Sequence, residues 1–466
     1  MAKLTFLGAV QQVTGSCYLI QTENAKVLLE CGMEQENLPV HVSQTTTFCF
    51  NPEDIDAVIL SHAHLDHSGN LPVLVAKGFR GPIYMTTATS DLLNPMLNDS
   101  TFLYLKDIQW ENTRRKRAGT KELEPEYSLE DLAQCLRQRE SIEYRRRTRI
   151  LSGIEICYQD AGHILGSAIV EIWITEKNRT RKLVFSGDLG NNNSPLMRDP
   201  AIVEDADILL LESTYGDRDH RPLKETLIEF KHALDAAVDD GGNVLIPAFA
   251  VGRTQDIIYR LGQYFQNGTL QQRRVFLDSP MAINVSDIYE RHVDLFNKDD
   301  PDFRKIIEDG WDDWLPILRY MRTPQESMSL NQISSGAIII AGSGMCNGGR
   351  IRHHFKHSLW RSSTHLIISG FQARGTLGRS LVDGAKKIHI AGNEIAVNAK
   401  IHTLGGFSAH AGQSQLLSWA KHFDSERTRL YLVHGEIEAM LALKEKFVDQ
   451  INWDAHIPSI GETIPI

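Results

Sequence analysis

Short runs of apolar and β-branched residues, separated by glycine and polar turns, occupy roughly the first 90 residues. They lie at 3–6, 18–21, 27–29, 57–60 and 83–86. Runs of this length between turn residues are typical of strands. Similar runs return at 154–158, 168–174 and 182–186, after a charged stretch over 91–149 that we predict to be helical.

The pattern changes near residue 208, where strand-like runs begin to alternate with helix-length segments. Strands are predicted at 208–211, 244–246, 275–277, 337–341 and 366–369, and helices at 223–238, 254–265, 282–292 and 351–359. This alternation predicts a parallel sheet covered by helices on both faces. The C-terminal part closes with strands at 400–404 and 430–433 and helices at 413–422 and 437–448.

Length and composition favour a two-domain cytoplasmic protein. A chain of 466 residues exceeds one ordinary core, and its 42% hydrophobic and 23% charged residues are typical of soluble globular proteins. No apolar run approaches the roughly 20 residues of a membrane span, and the N-terminus does not resemble a signal peptide. We therefore expect no membrane association. The six cysteines form no closely spaced pair, so we expect buried, reduced thiols.

The net charge of −10 at first argues against a nucleic-acid partner. Carboxylates that hold metals would add to the acidic count, however, and local basic patches make a phosphate-binding surface. Two such patches lie at 114–117 and 145–147. Both stand among glutamates, so we interpret each as a solvated helical face. Composition alone does not decide the partner.

The strongest chemical signal is a cluster of histidines directly after the predicted strand 57–60. It reads Ser61-His62-Ala63-His64-Leu65-Asp66-His67. Because a strand sends alternate side chains to one side, His62, His64 and Asp66 can converge. His67 joins them if the chain then turns into a helix. Imidazole and carboxylate together suit zinc. Three other histidines, at 353, 354 and 357, fit a solvated helix.

Three further polar residues lie in turns of small residues beside predicted strands. His163 lies in Ala161-Gly162-His163-Ile164-Leu165-Gly166-Ser167, Asp188 in Phe185-Ser186-Gly187-Asp188-Leu189-Gly190, and His434 in Leu432-Val433-His434-Gly435-Glu436. The flanking glycines let the backbone approach closely, as a metal ligand at a strand end often requires. Taken singly, each residue is equally compatible with a structural role.

Together these motifs resemble the metallo-β-lactamase superfamily, which has a His-x-His-x-Asp-His motif after a strand and then a His, an Asp and a late His. The resemblance implies an αββα sandwich that binds two zinc ions per chain. His62, His64 and His163 would hold the first ion, Asp66, His67 and His434 the second, and Asp188 would bridge them. Two zinc ions with a hydroxide between them can activate water at neutral pH and neutralise a phosphate under attack.

One position departs from that family. The stretch Leu28-Leu29-Glu30-Cys31-Gly32 has Glu30 where aspartate is usual. The residue at this position supports ligands and does not bind metal itself. We therefore expect it to tune the metal site without abolishing binding.

The region after residue 208 resembles a narrower group, the β-CASP nucleases. The matching motifs are Leu211-Glu212-Ser213-Thr214-Tyr215-Gly216, Ala341-Gly342-Ser343-Gly344-Met345, Gly370-Phe371-Gln372-Ala373-Arg374-Gly375-Thr376-Leu377-Gly378 and Phe407-Ser408-Ala409-His410-Ala411. The resemblance covers essentially the whole chain. It implies that an α/β domain with a parallel sheet, residues 209–404, is inserted into a metallo-β-lactamase domain formed by residues 1–208 and 405–466.

The resemblance also implies catalytic roles, which it assigns to His410, Glu212 and Asp66. In the family the acidic residue matching Glu212 pairs with the histidine matching His410, which gives a proton to the leaving oxygen. A carboxylate partner keeps an imidazole protonated for this task. RNA-processing members carry histidine at the last motif and DNA-processing members carry valine, so His434 indicates RNA.

Four residues in or near the glycine-rich turns are candidates for substrate binding: Ser343, Arg350, Arg374 and Arg379. Backbone amides and guanidinium groups in such turns can hold phosphates. The alternative is that these arginines form surface ion pairs.

The sequence therefore predicts a zinc-dependent ribonuclease that acts in RNA processing or degradation, with RNA as its partner. A DNA nuclease or a small-molecule hydrolase of the same superfamily is the alternative, and a scaffold or RNA-binding subunit without activity is a third. The second domain argues against a small substrate, and the complete set of ligand positions argues against an inactive scaffold. Endonucleolytic or exonucleolytic action, the RNA that is cut and a homodimer are all left open.

Overall fold

The computed structural model describes residues 2–34, 46–192, 194–297, 301–370, 372 and 375–466. In chain order the strands are β1 Lys3–Gly8, β2 Cys17–Gln21, β3 Lys26–Leu29, β4 Ala57–Ile59, β5 Ile83–Met85, β6 Arg139–Ser141, β7 Thr148–Leu151, β8 Ile154–Asp160, β9 Ala168–Glu176, β10 Arg179–Phe185, β11 Ile208–Glu212, β12 Val244–Pro247, β13 Arg274–Asp278, β14 Leu318–Tyr320, β15 Ala337–Ala341, β16 His365–Ile368, β17 Lys387–Ile390, β18 Asn393–Ala396, β19 Lys400–Thr403, β20 Arg429–Val433, β21 Ala455–His456 and β22 Thr463–Pro465.

The α-helices are α1 Leu65–Ser68, α2 Leu71–Ala76, α3 Thr87–Ala118, α4 Leu129–Arg137, α5 Leu223–Asp239, α6 Arg253–Gln266, α7 Pro280–Arg291, α8 Pro301–Trp314, α9 Pro324–Ser329, α10 Ile351–Ser358, α11 Leu377–Val382, α12 Gln413–Ala420 and α13 Ile437–Ile451. The chain divides into two compact units. Unit 1 comprises Met1–Asp219 and His410–Ile466, and unit 2 comprises His220–Ala409.

Unit 1 contains two seven-stranded sheets. Their strand orders are β22-β1-β2-β3-β4-β5-β6 and β21-β20-β11-β10-β9-β8-β7. The alternating apolar residues of both sheets form one buried core, in which Phe6, Tyr18 and Ile59 from the first sheet meet Phe185 and Tyr431 from the second. The two sheets therefore pack face to face, since strands with a period of two bury one side each.

Helices cover the outer face of each sheet. On the first sheet, Val58 packs with Leu74 of α2 and Leu93 of α3. On the second sheet, residues of α12 and α13 such as Leu417 and Phe447 complete the core. These layers confirm the predicted αββα sandwich.

Strand direction brings several loops of unit 1 to one edge. Strand β8 is antiparallel to β9, and β9 is antiparallel to β10, so β8 and β10 run in the same direction. Strands β11 and β20 are parallel to β10. The loops that follow β8, β10, β11 and β20 therefore leave the second sheet at the same edge.

Unit 2 contains a six-stranded sheet of order β14-β13-β15-β12-β16-β19, and every neighbouring pair in it is parallel. Every residue of β12, β15 and β16 is buried. Burial on both faces is the reason these strands have continuous apolar runs without alternation. This confirms the parallel α/β sheet predicted for the region after residue 208.

The stretch 91–149, predicted to be helical throughout, holds more than helices. It includes α3 and α4, but then strands β6 and β7. The basic run 114–117 lies in the last turn of α3, whereas residues 145–147 lie in the turn between β6 and β7, so their helical assignment was wrong. Five cysteines are buried as expected, but Cys49 is exposed. Among the described residues, no helix combines the length and apolar composition that a bilayer crossing requires.

Candidate metal centre

The predicted ligands lie at the ends of strands, on the loops that unit 1 gathers at one edge. His163 follows β8, Asp188 follows β10 and His434 follows β20. The 61–67 segment follows β4, and His67 lies in the short helix α1. The side chains of His62, His67, His163, Asp188 and His434 are all buried, and none of these residues is more than 4% exposed.

One group of ligand atoms contains three imidazole nitrogens and one carboxylate oxygen. Nε2 of His62 lies 3.1 Å from Nδ1 of His64, and Nε2 of His163 lies 3.3 Å from that same nitrogen. Oδ2 of Asp188 is 3.5 Å from His62 Nε2 and 3.6 Å from His163 Nε2. These four atoms converge on one point from three loops, since His62 and His64 lie in the same segment after β4.

A second group lies on the other side of Asp188. Nε2 of His67 is 3.1 Å from Nε2 of His434, and that nitrogen of His434 is 3.4 Å from Oδ2 of Asp66. Oδ1 of Asp188 is 3.4 Å from His67 Nε2 and 3.6 Å from Nδ1 of His434. The two oxygens of Asp188 are thus divided between the two groups.

These separations fit metal ligation. Two ligand atoms bound about 2.0–2.1 Å from one zinc ion at the tetrahedral angle lie about 3.4 Å apart. Oδ1 of Asp188 is buried and accepts no hydrogen bond from any described residue. A buried carboxylate oxygen without a donor is costly, and a cation bound beside it removes that cost.

Glu30 orients two of the histidines. Its Oε2 accepts from Nδ1 of His67 at 2.5 Å and from Oγ of Ser61 at 3.1 Å, and its Oε1 accepts from the Ser61 amide at 2.6 Å. Nδ1 of His62 lies 3.0 Å from the Ser61 hydroxyl. One carboxylate therefore turns Nε2 of His67 toward the second group directly and Nε2 of His62 toward the first group through Ser61.

A threonine hydroxyl orients His434 in a similar way. The Thr214 hydroxyl lies 3.2 Å from Nδ1 of His434 and donates to the carbonyl oxygen of the same residue at 3.3 Å. Since that hydroxyl already donates to the carbonyl, it accepts from Nδ1. Nε2 of His434 then carries the lone pair that faces Asp66 and His67, which is the tautomer a metal ligand needs.

Burial also favours neutral rings in the first group. It holds the pKa of His62 well below its ordinary value, with further lowering by His67, and it holds the pKa of His64 below its ordinary value. A neutral imidazole is the form that binds metal.

Three family models match the chain. The metallo-β-lactamase superfamily model matches residues 10–103, a β-CASP domain model matches 254–381, and a model described as the Zn-dependent metallo-hydrolase RNA specificity domain matches 394–458. Among similar proteins, Ribonuclease TTHA0252 of Thermus thermophilus is 38% identical over 98% of this chain and 99% of its own length. The chain belongs to the β-CASP family of the metallo-β-lactamase superfamily.

Two further relatives and one solved structure are also similar to this β-CASP protein. Transcription termination factor FttA of Methanocaldococcus jannaschii is 31% identical over 93% of this chain and 67% of its own length. An RNase J-like protein of the same organism is 29% identical over the full length of both chains. A crystal structure of a protein of unknown function from Enterococcus faecalis V583 shares the fold, with a TM-score of 0.51 and 14% identity over 99% of both chains. The family models and the 38%-identical ribonuclease show that the chain is a metal-dependent hydrolase.

The predicted catalytic pair of the β-CASP protein lies beside the ligand groups. Nδ1 of His410 is 3.4 Å from Oε1 of Glu212 and 4.0 Å from Oδ2 of Asp188, and its ring lies 4.4 Å from that of His163. Burial disfavours the charged ring, but Glu212, Asp188 and Asp66 together raise the pKa of His410 to about 9.

Glu212 holds the neighbouring backbone as well as His410. Its Oε1 accepts from the Leu189 amide at 2.8 Å, and its Oε2 accepts from the Thr214 amide at 3.2 Å. Leu189 follows Asp188, and Thr214 supports His434. Glu212 thus fixes both the segment that carries Asp188 and the segment that supports His434.

The four candidates for substrate binding lie in the β-CASP region. Arg379 pairs with Asp383 at 2.7 Å on an exposed surface, and Arg374 lies outside the described residues. The Ser343 hydroxyl accepts from the Gly348 amide at 3.3 Å. Arg350 donates to Asp278 at 2.7 Å and to the carbonyl oxygen of Met321 at 2.8 Å. A role in RNA binding stays a prediction for all four.

The contact of Asp278 with a histidine shows that one expectation was wrong. His354, expected on a solvated helix, is 2% exposed, and its Nε2 lies 2.7 Å from Oδ2 of Asp278. Sequence reasoning also missed Ser61 and Thr214, which support ligands without binding metal. Both lie inside motifs that had been singled out, and a hydroxyl directly beside a ligand was the available signal.

Proposed function

We propose that this chain is a ribonuclease that hydrolyses phosphodiester bonds of RNA with two zinc ions and a histidine general acid. The observation that carries the proposal is that the carboxylate of Asp188 is shared between the two ligand groups. Its two oxygens lie in two separate groups of nitrogen and oxygen ligand atoms, each of a size that fits one ion.

We assign the ligands of the first ion to His62, His64 and His163, and those of the second to Asp66, His67 and His434, with Asp188 shared. When bound, two zinc ions activate a water molecule at neutral pH and neutralise the charge that develops on an attacked phosphate. All seven side chains come from unit 1, so unit 1 alone contains the proposed metal centre.

His410 supplies the proton that the leaving ribose oxygen needs. Glu212 contacts its Nδ1, which leaves Nε2 as the nitrogen that donates. The ring is 22% exposed, whereas the Glu212 side chain is fully buried, so the histidine can meet substrate while its partner is shielded from water. A positioned general acid of this kind typically contributes about 10²–10⁴-fold to the rate.

RNA as the substrate rests on three supports. Residues 394–458 match a domain model described by its RNA specificity, and this range includes His410 and His434. Similar proteins over nearly the whole chain are named a ribonuclease and an RNase J-like protein. The histidine at position 434 is the residue that the resemblance associates with RNA-processing members.

The test is to incubate the zinc-loaded protein with end-labelled RNA and DNA of the same sequence and to separate the products by length. We expect cleavage of the RNA and little of the DNA, and the ladder will distinguish internal cuts from stepwise removal of terminal nucleotides. The Asp188→Asn variant, purified in parallel, controls for contaminating nucleases. Equal cleavage of both nucleic acids, or equal activity of the variant, would contradict the proposal.

A further inference from the structure

Helix α3 of unit 1 has large apolar side chains on its solvent-exposed face. Trp110 is 70% exposed, Phe102 is 62% exposed and Leu103 is 50% exposed. Leu103 and Trp110 are seven residues apart and Phe102 and Trp110 are eight, so at about 100° per residue all three side chains lie within about 100° of one another around the helix and form one stripe. Single exposed apolar residues are ordinary, but three in one stripe, two of them aromatic, mark a surface that meets a partner.

Cations interleave with the aromatic rings on the same side of the helix. Lys106 lies between Phe102 and Trp110 in sequence, with Nζ 5.9 Å from the centre of the Phe102 ring. Arg114 and Arg117 continue the stripe one and two turns beyond Trp110. We call this set the aromatic face, and it comprises Phe102, Leu103, Lys106, Trp110, Arg114 and Arg117.

Acidic residues of α3 neutralise the aromatic face only in part, through the contact of Glu111 with Arg114. Glu111 is buried on another side of the helix, where Arg115 contacts it at 3.1 Å and Arg114 at 3.5 Å. Asp107 lies at the border of the face. Asp99, one turn before Phe102, is the other acidic residue in line with the face. Lys106, Arg114 and Arg117 outnumber these two aspartates, so the stripe keeps a net positive charge although the whole chain has a net charge of −10.

We propose that the aromatic face binds single-stranded RNA at a distance from the metal centre, an inference that rests on the proposed ribonuclease function. Bases stack on exposed aromatic rings without regard to sequence, and arginines and lysines beside the rings neutralise phosphates. A second copy of this chain fits less well. A symmetric dimer would place the same cations of both copies against each other, and like charges across an interface are unfavourable.

The helix also connects this face to the metal centre. Near its start, the Thr89 hydroxyl donates to the carbonyl oxygen of Gly166 at 2.8 Å, in the loop that carries His163. Trp110 follows 21 residues later, which is about 32 Å along a helix that rises 1.5 Å per residue. The face therefore contacts a long RNA well away from the bond that is cut, and a dinucleotide cannot reach both places.

The test measures binding of a labelled single-stranded RNA of about 30 nucleotides by fluorescence anisotropy, in the full chain carrying Asp188→Asn to prevent cleavage. We expect the double substitution Phe102→Ala with Trp110→Ala to weaken binding about tenfold or more. The double substitution Arg114→Gln with Arg117→Gln should reduce the slope of log affinity against log salt by about 1.4, or about 0.7 for each phosphate contact. A dinucleotide should show a much smaller effect.

Trp360→Ala is the matched control, because Trp360 is likewise an exposed tryptophan, at 50%, and has an arginine, Arg361, 5.1 Å from its ring. It should bind the RNA as the parent does. If the parent binds RNA and both double variants bind it equally well, the proposal for the face is wrong and the proposed function stands. A parent that binds no RNA contradicts both. If the aromatic substitutions instead convert a dimer to a monomer in sedimentation, a second copy occupies the face and the proposal is overturned.

Discussion

Glu30 Oε2 lies 2.5 Å from Nδ1 of His67, and both side chains are fully buried. Through Ser61 the same carboxylate reaches His62, so it supports one histidine of each ligand group. Glutamate stands here where the superfamily motif usually has aspartate. The longer side chain reaches both histidines from a backbone held at a positive φ of 66°.

We therefore expect Glu30→Gln to weaken metal binding, because an amide cannot accept from His67 and Ser61 as a carboxylate does. Loss of a residue that orients metal ligands typically costs about 10–100-fold in metal affinity. Competition with a chelator, followed by elemental analysis, measures the change. Glu30→Asp is the control, since it keeps the charge. An affinity unchanged in Glu30→Gln would show that the contact does not orient the ligands.

Because the carboxylate of Asp188 is shared between the two ligand groups, the effect of each ligand substitution on zinc content can be predicted. The wild-type chain should hold two zinc ions, because seven nitrogen and oxygen ligands surround two points. His163→Ala should lower occupancy of one ion, His434→Ala should lower occupancy of the other, and Asp188→Ala should lower both. Elemental analysis of the four proteins after identical preparation provides the measurement. One ion or none in the carefully prepared wild type would count against the two-ion centre.

Substitutions of His410 and His434 should differ in their effects on zinc content. His410→Ala should keep both ions and slow the chemical step about 10²–10⁴-fold, since it removes the proposed general acid without removing a ligand. His434→Ala should lose metal and activity together. Single-turnover rates and metal content on the same preparations distinguish them. Loss of zinc from His410→Ala, with zinc retained in His434→Ala, would reverse the two assignments.

Glu212→Gln should slow the chemical step less than His410→Ala does, because the imidazole remains. It should also destabilise the protein. Glu212 accepts two backbone amides in a fully buried position, and an amide group replaces one of those acceptors with a donor. An unsatisfied buried amide costs about 1–3 kcal/mol. Thermal unfolding recorded beside the rates checks this, and an unchanged midpoint would show that the two backbone contacts contribute little.

The buried Asp278 should stabilise unit 2 at neutral pH and lose its effect in acid. Burial disfavours its charge, but hydrogen bonds from His354, Ser327 and Arg350 outweigh burial and hold its pKa below the ordinary value. A carboxyl with a lowered pKa in the folded protein stabilises it above the unfolded pKa of about 3.9, and that stabilisation disappears as the pH falls through the folded pKa. Replacing the buried carboxylate leaves Arg350, whose side chain is only 20% exposed, without its partner, which is destabilising.

Asp278→Asn should therefore lower the thermal midpoint at pH 7, and the difference from wild type should narrow as the pH falls below about 4. Asp383→Asn is the control, since Asp383 also pairs with an arginine but on the exposed surface, where such pairs contribute little. Arg350→Gln should lower the midpoint as well. If Arg350 served only to bind RNA, its substitution would leave the midpoint in place.

The sequence predicted helices and strands correctly wherever a local hydrophobic pattern defines the element. The strands at 337–341 and 430–433 and the helix at 437–448 agree with β15, β20 and α13 to within a few residues. Very short strands were not predicted. The hairpin strands β17 and β18 and strand β6 have three or four residues each, too few for a hydrophobic period to be recognised.

By itself, the sequence determined the change to strand–helix alternation near residue 208 and the residues that could bind metal, since hydrophobic spacing and glycine beside a polar residue are properties of neighbouring positions. Only the tertiary structure decided which atoms face one another. His354 looked solvated because its partner, Asp278, stands 76 residues away. The support of His434 by Thr214 spans 220 residues, and that of His67 by Glu30 joins the end of β3 to helix α1. Such pairs depend on strand order and direction, which long-range packing fixes and no local pattern encodes.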